Sequence, residues 1–316
     1  MSIRVKLLEA FDGQPGRILS GETLARRFGV SRAAVWKQMQ AMKQVGLPIE
    51  SSGRQGYRLQ APFDSSLARF RSSRWATPHY FLNTPSTQTL AKAGAAAGLP
   101  EGHLWIAETQ TKGRGRLERS WESGYGGLWF SLLLRPKMPA SRVPPLTLIA
   151  GLAVKQAVQK ISRVDAKLKW PNDLLVHRHG AWKKCAGILT EMSGQMDRTE
   201  WVVIGVGLNV NNTISKDLSE RAASLYGLTG KAGSRAEFLD GFLRIFHGAY
   251  QQYQKEGFEP FRRAYWNNYF APDQSVRLVT AVGPIAGIAR GVDGSGAIMI
   301  ESRRKIHAIS EGEIVL

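Results

Sequence analysis

The sequence predicts an α+β protein made of a winged helix-turn-helix, a central mixed sheet with helices on one face, and a small C-terminal β-barrel. Three observations predict it. Two helical apolar stripes joined by the turn Phe28-Gly29-Val30-Ser31 lie near the N-terminus. From His79 onward, strand-length apolar runs are interspersed with segments of helical periodicity. After Pro272 only short strands separated by glycine turns remain. The division that follows is 1–62, a linker at 63–78, a central unit at 79–270 and a tail at 271–316.

In the first unit, Ile3, Leu7, Leu8 and Phe11 form a helical stripe that the Gly13–Gly16 cluster ends. Ser20 caps a second helix carrying Leu24, Ala25 and Phe28, stopped by Gly29. Ser31 caps a third, which turns Val35, Met39 and Met42 inward and ends at Gly46. That third helix presents Arg32, Ala33, Trp36, Lys37 and Gln40 in the manner of a major-groove reader. Arg and Gln can read base edges, whereas Lys37 and Lys43 suit phosphates. The hairpin from Ile49 to Leu59, with Gly53 and Gly56, is a candidate wing carrying Arg54 and Arg58. The competing reading is a helical dimerisation or adaptor module, and the basic charge of the unit favours DNA.

The linker is polar and irregular. Beyond it, strands are predicted at 80–83, 103–107, 127–134, 166–170, 184–191 and 200–207, with helices at 87–97, 146–161 and 235–255. In the tail, strands are predicted at 276–279, 284–288, 297–300, 305–309 and 313–316, a pattern that suits a small barrel.

A chain of 316 residues with 43% hydrophobic content can bury several cores. No apolar run reaches the ~18 residues of a membrane span, and the N-terminus lacks the apolar core of a signal peptide. The single cysteine, Cys185, excludes an internal disulfide and a cysteine-based metal site, which places the chain in the cytoplasm. Histidines 177 and 179 flank Arg178 in a turn and show no metal spacing. The net charge of +18 is uneven: residues 1–62 carry ten Lys/Arg against four Asp/Glu, and residues 271–316 carry five of each. A basic balance of this kind favours nucleic acid, nucleotides or an acidic protein partner.

Four clusters in the central unit carry chemistry. The most informative runs Glu108-Thr-Gln-Thr-Lys-Gly-Arg-Gly-Arg-Leu-Glu-Arg-Ser-Trp121, placing Lys112, Arg114, Arg116 and Arg119 on a glycine-containing loop between two strands. Guanidinium groups beside backbone N–H donors suit a phosphate or carboxylate; a solvated cationic hairpin tip is the plain alternative. Pro85-Ser-Thr-Gln88 stands at a helix start, where a small polar ligand or a simple N-cap would account for it. Lys169-Trp-Pro-Asn-Asp173 leaves a strand into a turn, so Lys169, Asn172 and Asp173 would lie beside a nucleotide phosphate, with Asp173 near Mg²⁺, or would merely close the turn. In Lys183-Lys-Cys-Ala-Gly-Ile-Leu-Thr-Glu191 and Ile204-Gly-Val-Gly-Leu-Asn209, Lys184 can reach an acyl-phosphate and Asn209 an adenine edge. Gly187, Gly205 and Gly207 interrupt apolar strands there, marking close approach by a ligand or by packing.

In this order the clusters resemble the motifs of the biotin–protein ligases. The N-terminal helix-turn-helix and the tail with Gly312-Glu-Ile314 look like the bifunctional bacterial type, which is also a repressor of biotin synthesis. The resemblance implies a class II synthetase-like central sheet and an SH3-like tail. It implies that Ser86, Thr87, Gln88 and Gln110 bind the ureido ring of biotin, with Gly187 alongside. Arg114, Gly115 and Arg116 would close over the carboxylate and α-phosphate, and Lys184 would neutralise them. Arg119, Trp121, Asn172, Gly207 and Asn209 would serve the nucleotide. Catalytic roles fall to Arg116, Lys184, Lys169 and Asp173. The substrates implied are biotin and ATP with Mg²⁺, with biotinyl-5′-AMP as intermediate and corepressor. The partners implied are the biotin carboxyl carrier protein of acetyl-CoA carboxylase, operator DNA and a second copy of the chain, with no membrane.

The chain departs from the family pattern at Gln88, where Asn is common, at Leu117, where a basic residue is common, and at Glu118, where glycine is frequent. No tryptophan stands between Asn209 and residue 235, so an aromatic lid over adenine has no counterpart there. The segment Ala222-Ala-Ser-Leu225 matches the family without an assigned role. Two rival functions are a lipoate–protein ligase, with related acyl-adenylate chemistry, and a transcription factor that only senses a metabolite.

Overall fold

The computed structural model describes residues 3–11, 16–53, 55–60, 64–71 and 75–315. The N-terminal unit contains α1 (Ile3–Ala10), β1 (Ile18–Leu19), α2 (Gly21–Phe28), α3 (Arg32–Gln44), β2 (Ile49–Ser51) and β3 (Tyr57–Leu59). Its caps are those expected. Ser20 accepts from Thr23 N at 3.2 Å, Ser31 accepts from Ala34 N at 3.1 Å, and Gly29 ends α2 in the left-handed region at φ 65°. Leu7, Leu8, Leu24, Val35, Met39 and Met42 close one small core. The strand β1 was not predicted; it adds to the hairpin, giving the order β1-β3-β2. Residues Gly13 to Pro15 and Arg54, expected to end the first helix and to arm the hairpin, lie outside the described residues.

The central strands are β4 (Thr77–Thr84), β5 (His103–Gln110), β6 (Leu128–Leu134), β7 (Ala166–Lys169), β8 (Asp173–Arg178), β9 (Ala181–Gly194) and β10 (Thr199–Leu208). The helices are α4 (Thr87–Ala96), α5 (Pro144–Ser162), α6 (Leu225–Thr229), α7 (Arg235–Glu256) and α8 (Glu259–Asn267). Among the described residues these strands form one sheet, ordered β4-β5-β6-β10-β9-β8-β7, in which only β4 and β5 run parallel. The sheet is therefore mixed, as expected. The strand β8 is not among those predicted: the turns expected at Lys169–Asp173 and around Arg178 leave no room for it, yet Asp173 to Arg178 pairs with both β7 and β9.

Helices cover both faces of this sheet, not one. Leu104, Ile106, Leu132, Leu134, Val202 and Ile204 face α5 and α7, while the intervening Trp105, Leu133 and Val203 face α4 with Ala91 and Ala95. Because strand side chains alternate, a run such as Leu132-Leu133-Leu134 feeds both layers. Its unbroken apolar character is the sign of a strand buried on both sides, which the one-face reading missed.

The 63–78 stretch is also less irregular than its composition implies. Ser66–Arg69 forms a 3-10 turn whose Leu67 enters the central core, and β4 begins at Thr77. In the tail, β11 (Ser275–Thr280), β12 (Gly283–Val292), β13 (Ile298–Ser302), β14 (Lys305–Ile309) and β15 (Glu313–Val315) pair antiparallel in the order β14-β13-β12-β11-β15. Among the described residues no ladder joins β14 to β15, so the expected closed barrel is an open sheet. Most of β14 faces solvent, which leaves it no second neighbour. The tail docks on the central unit where Trp170 Nε1 donates to Gly296 O at 3.0 Å.

One buried charge organises the connections. Arg235, fully buried at the start of α7, meets Asp64 Oδ2 at 2.9 Å through Nε and Glu108 Oε2 at 2.6 Å through Nη1. It also donates to Gly127 O at 3.2 Å and lies 5.0 Å from the Tyr125 ring centroid. The Tyr80 hydroxyl donates to Glu108 at 2.9 Å, and Tyr125 donates to Asp64 O at 3.0 Å. Removing one member of a buried ion network leaves uncompensated charge. Arg235→Leu is expected to cost about 3–5 kcal/mol, read as a lowered urea midpoint; an unchanged midpoint would show that the network contributes nothing net.

Candidate active site

The arginine loop folds back on itself as a hairpin. Arg114 bridges Ser120 and Gln110 bridges Ser123, while Trp121 N donates to Gly113 O at 2.9 Å. A Cβ on Gly113 would meet Trp121 O at 2.3 Å, so the closure requires glycine there. Thr111 N and Lys112 N donate to Thr84 O and Pro85 O, at 3.0 and 2.8 Å. Those bonds bring the loop against the Pro85-Ser-Thr-Gln88 turn. Leu117, where a basic residue is common, and Glu118, where glycine is frequent, both hold φ near 55°. Two consecutive non-glycine residues in the left-handed region store strain in the loop.

Thr87, Gln88 and Gln110 join one polar network beneath the loop. Gln110 Oε1 accepts from Thr87 N at 2.7 Å and from Thr87 Oγ1 at 3.1 Å. Thr87 Oγ1 lies 2.9 Å from Ser131 Oγ, and Ser131 donates to Gln88 Oε1 at 3.0 Å. Gln110 Nε2 donates in turn to Ser123 Oγ at 2.8 Å. Ser86 is the N-cap residue of α4, yet its buried side chain makes no capping bond, so the plain-cap reading does not account for it. Sequence reasoning missed Ser123 and Ser131. The lone hydroxyl inside Leu128-Trp-Phe-Ser-Leu-Leu-Leu134 was the available sign, since a fully buried polar group in such a strand needs a partner.

The lysine-bearing segments converge on a carboxylate. Lys184 Nζ lies 2.7 Å from Asp173 Oδ1, and Lys169 Nζ lies 3.6 Å from Asp173 Oδ2. Arg116 reaches the same turn, donating to Asn172 Oδ1 at 3.4 Å and to Gly312 O at 3.2 Å. Burial pulls the Arg116 pKa below its ordinary value, against the opposing pull of Asp173 and Glu313, and a guanidinium there stays charged. Asn172 is held by reciprocal bonds with Ile188, 2.9 and 3.0 Å long. The other two arginines of the loop turn to carboxylates: Arg114 contacts both oxygens of Glu118 at 2.5 and 2.7 Å, and Arg119 pairs with Glu313 at 2.6 Å.

Trp121 forms the floor between these groups. Gly187 and Gly207 are direct partners across β9 and β10. Cβ atoms on them would lie 3.0 Å and 2.5 Å from the Trp121 ring. Lys184 Nζ stands 5.0 Å from that ring's centroid, within cation–π range. Gly205 serves the other cluster, because a Cβ there would lie 2.5 Å from Gln88 Oε1. Asn209 is buried beside Cys185, whose carbonyl accepts Asn209 N at 2.9 Å. Ala222-Ala-Ser-Leu225 now has a place: Lys184 N donates to Arg221 O at 2.8 Å, Ala223 N donates to Lys184 O at 3.0 Å, and Leu225 N donates to Asn209 O at 3.0 Å. The segment holds the backbone at Lys184 and Asn209. Cys185 is no nucleophile, since burial pushes its thiol pKa up to about 12.

The structure thus brings together Thr87, Gln88 and Gln110 as one set, and Arg116, Trp121, Lys169, Asn172, Asp173, Lys184, Gly187 and Gly207 as another. Arg114 and Arg119 face acids, and Gly115 N donates to Arg119 O at 2.7 Å. On α3, Arg32, Ala33, Trp36 and Lys37 are exposed, with Trp36 57% accessible, and Gln40 is half-buried. Among the described residues no three His, Cys, Asp or Glu side chains gather as a metal site, and no helix is long and apolar enough to cross a membrane.

Residues 80–209 match the profile of the Biotin/lipoate A/B protein ligase family, and residues 5–58 match an HTH domain. The chain is 34% identical to the bifunctional ligase/repressor BirA of Bacillus subtilis, over 100% of this chain and 99% of the relative. It is 32% identical to the biotin–[acetyl-CoA-carboxylase] ligase of Paracoccus denitrificans, over 69% and 92%. Among solved structures it resembles the Aquifex aeolicus biotin protein ligase in complex with biotin and ATP, with TM-score 0.66 and 31% identity over 75% of this chain and 97% of that one.

The tight fit of Trp121 over Gly207 makes a direct test. Gly207→Ala is expected to destabilise by about 1–3 kcal/mol through overpacking, measured by urea unfolding. Trp121→Ala in the same chain should recover most of that loss, and additive losses would contradict the contact.

Proposed function

The chain belongs to the biotin/lipoate A/B protein ligase family, in its bifunctional ligase/repressor branch, and from that premise we infer an ATP-dependent biotin–protein ligase that also represses biotin synthesis by binding DNA. The observation that carries the site reading is the meeting of three separate segments at Asp173, Lys184 and Arg116. In our reading the Thr87–Gln110–Ser131–Gln88 network, with Ser86, receives the ureido ring, and Gly187 and Trp121 flank the apolar chain of biotin. A few placed polar groups beside an apolar surface suit that molecule. Trp121, lying against both Gly187 and Gly207, stands between the biotin chain and the nucleotide and serves both. Arg114, Gly115, Arg116 and Lys184 serve the carboxylate and α-phosphate, while Arg119, Asn172, Gly207 and Asn209 serve the nucleotide.

The biotin carboxylate attacks the α-phosphorus, the bond to pyrophosphate breaks, and biotinyl-5′-AMP forms. The amine of a carrier lysine then attacks the acyl carbon, AMP leaves, and the amine proton passes to solvent. Arg116, Lys184 and Lys169 stabilise negative charge as it develops, which is catalysis by preorganised electrostatics and positioning. Magnesium enters with the triphosphate as MgATP. Asp173, already paired with two lysines, offers no preformed magnesium site.

The acceptor in this reading is the biotin carboxyl carrier protein of acetyl-CoA carboxylase, and the compartment is the cytoplasm. We retain the divisions at 62, 78 and 270, the class II synthetase-like description of the central sheet, a winged form for the N-terminal unit and an SH3-like form for the tail. The β2–β3 hairpin and the five-stranded antiparallel order support the last two. Biotinyl-5′-AMP acts as corepressor, and a homodimer reads a palindromic operator. Arg32, Ala33, Trp36 and Gln40 meet bases on this reading, and Lys37 and Arg54 meet phosphates.

Wild-type protein given MgATP and biotin should release pyrophosphate and retain biotinyl-5′-AMP, whereas Lys184→Ala and Arg116→Ala should each slow release about a hundredfold or more. Normal turnover by either variant would remove that residue from the chemistry; release with lipoate and not biotin would move the reading to the lipoate ligases. For DNA, Lys37→Ala should weaken operator binding while lowering the slope of log affinity against log salt by about one. An unchanged slope, measured by fluorescence anisotropy, would show that Lys37 meets no phosphate.

A further inference from the structure

Backbone carbonyls only accept hydrogen bonds, and those of Leu189, Val203 and Trp121 set the direction of the polar network beneath the loop. Gln88 Nε2 donates to Leu189 O at 3.4 Å and to Val203 O at 3.3 Å, so Oε1 is the end of that amide that faces Ser131. Ser131 is fully buried on β6, opposite Gly205 of β10, and gives its one proton to Gln88 Oε1 at 3.0 Å. A Cβ on Gly205 would lie 2.5 Å from that oxygen, so the glycine makes room for the bond. With its proton given away, Ser131 Oγ can meet Thr87 Oγ1, 2.9 Å distant, only as an acceptor.

Gln110 is oriented in the same way. Ser123 donates to Trp121 O at 3.1 Å, so it accepts from Gln110 Nε2 at 2.8 Å, and Gln110 Oε1 turns to Thr87 N at 2.7 Å. The single hydroxyl proton of Thr87 then has two acceptors beside it, Ser131 Oγ at 2.9 Å and Gln110 Oε1 at 3.1 Å. The Gln110 oxygen is already supplied by the closer Thr87 N–H. Donation to Ser131 makes a bond of the shorter contact, whereas withholding it would set two lone pairs against each other inside the protein. The Thr87 hydroxyl is left with lone pairs, and no proton, for a ligand.

We propose that Ser131 and Gln88 are positioning residues for the ureido ring of biotin: their fixed hydrogen bonds hold the Thr87 hydroxyl as an acceptor, which selects a ring N–H and rejects an oxygen at that place. The inference rests on the reading of Thr87 as a ureido contact given above. Gln88 acts through Ser131 and not on the ligand, since its amide hydrogens go to two strand carbonyls. A cyclic urea carries an N–H on each side of its carbonyl. A cyclic carbamate of the same shape carries an oxygen on one side.

The test compares biotin with its two ring-carbamate analogues, in each of which one ureido N–H is replaced by oxygen, by pyrophosphate release with MgATP. Wild type should favour biotin over at least one of them in kcat/KM by roughly ten- to a hundredfold, because two unprotonated oxygens would face each other. Ser131→Ala frees the Thr87 hydroxyl to turn toward the ligand and should cut that ratio by about tenfold, with the KM for ATP unmoved. Gln88→Leu, which lets Ser131 donate to Thr87 instead, should narrow the ratio in the same direction. Equal use of biotin and both analogues by wild type overturns the proposal without requiring any variant to fold. A variant that uses biotin less well but keeps the wild-type ratio also overturns it, because lost packing lowers both substrates together. If wild type releases no pyrophosphate with ATP and biotin, the ligase reading itself has failed, an outcome distinct from the others.

Discussion

The guanidinium of Arg235 is the constraint on which the arrangement of this molecule depends. It is fully buried at the first residue of α7, where the helix dipole already disfavours a cation, so it is tolerable only with anions around it. Asp64 and Glu108 supply them from two distant places in the chain. Burial pushes the Asp64 carboxyl pKa up, but the Arg235 charge and the bonds from Ser66 and Arg235 more than reverse this, and Asp64 stays ionised. Asp64 follows the N-terminal unit directly, and Glu108 is two residues before Gln110 of the polar network. Tyr125, beside the same charge, closes the far end of the arginine loop. The ion network thus fixes, relative to one helix end, where the N-terminal unit attaches and where the loop both leaves and rejoins the sheet.

From that anchor the site follows by packing. The β9–β10 pair offers a flat strip at Gly187 and Gly207, and only the absence of side chains there allows Trp121 to lie down on it. Lys184 against the indole keeps its ammonium beside Asp173. The glycines therefore act through a neighbour: each removes a Cβ so that an aromatic ring can hold a cation. The same logic operates at Gly205, which makes room for the amide of Gln88. Gln88 is longer than the asparagine common at that position, and Ser131 is close enough to hold its oxygen.

Local signals in the sequence were sufficient for local structure. Ser20, Ser31 and Gly29 announced the ends of α2 and α3, and nearly every predicted strand has its counterpart. The four ligand motifs were legible because each couples charged residues to a glycine or proline turn. What escaped is non-local. Arg235 reads as an ordinary helix start, since nothing nearby in the chain marks Asp64 or Glu108 as its partners. Ser131 acquires meaning only when the strands around it pair. The placement of helices on both faces depended on reading Leu132-Leu133-Leu134 as two alternating surfaces. The open tail sheet shows the limit of counting strands, because closure depends on which edges meet.

The ion pairs of the site divide into two kinds, and the division follows solvent. Arg114 with Glu118, and Arg119 with Glu313, are substantially exposed, and pairs of that kind are worth about 0–1 kcal/mol. Exchanging such a carboxylate for a phosphate oxygen costs little, and a phosphate presents more acceptors to the same guanidinium. Asp173 is different. It is buried, it faces Lys184 and Lys169 together, and stripping it of either lysine would strand charge away from water. The exposed arginines can therefore exchange partners for an anionic ligand at little cost, whereas the buried Asp173 cluster cannot. A loop strained at Leu117 and Glu118 suits the first role, and a turn pinned by Ile188 on both sides of Asn172 suits the second.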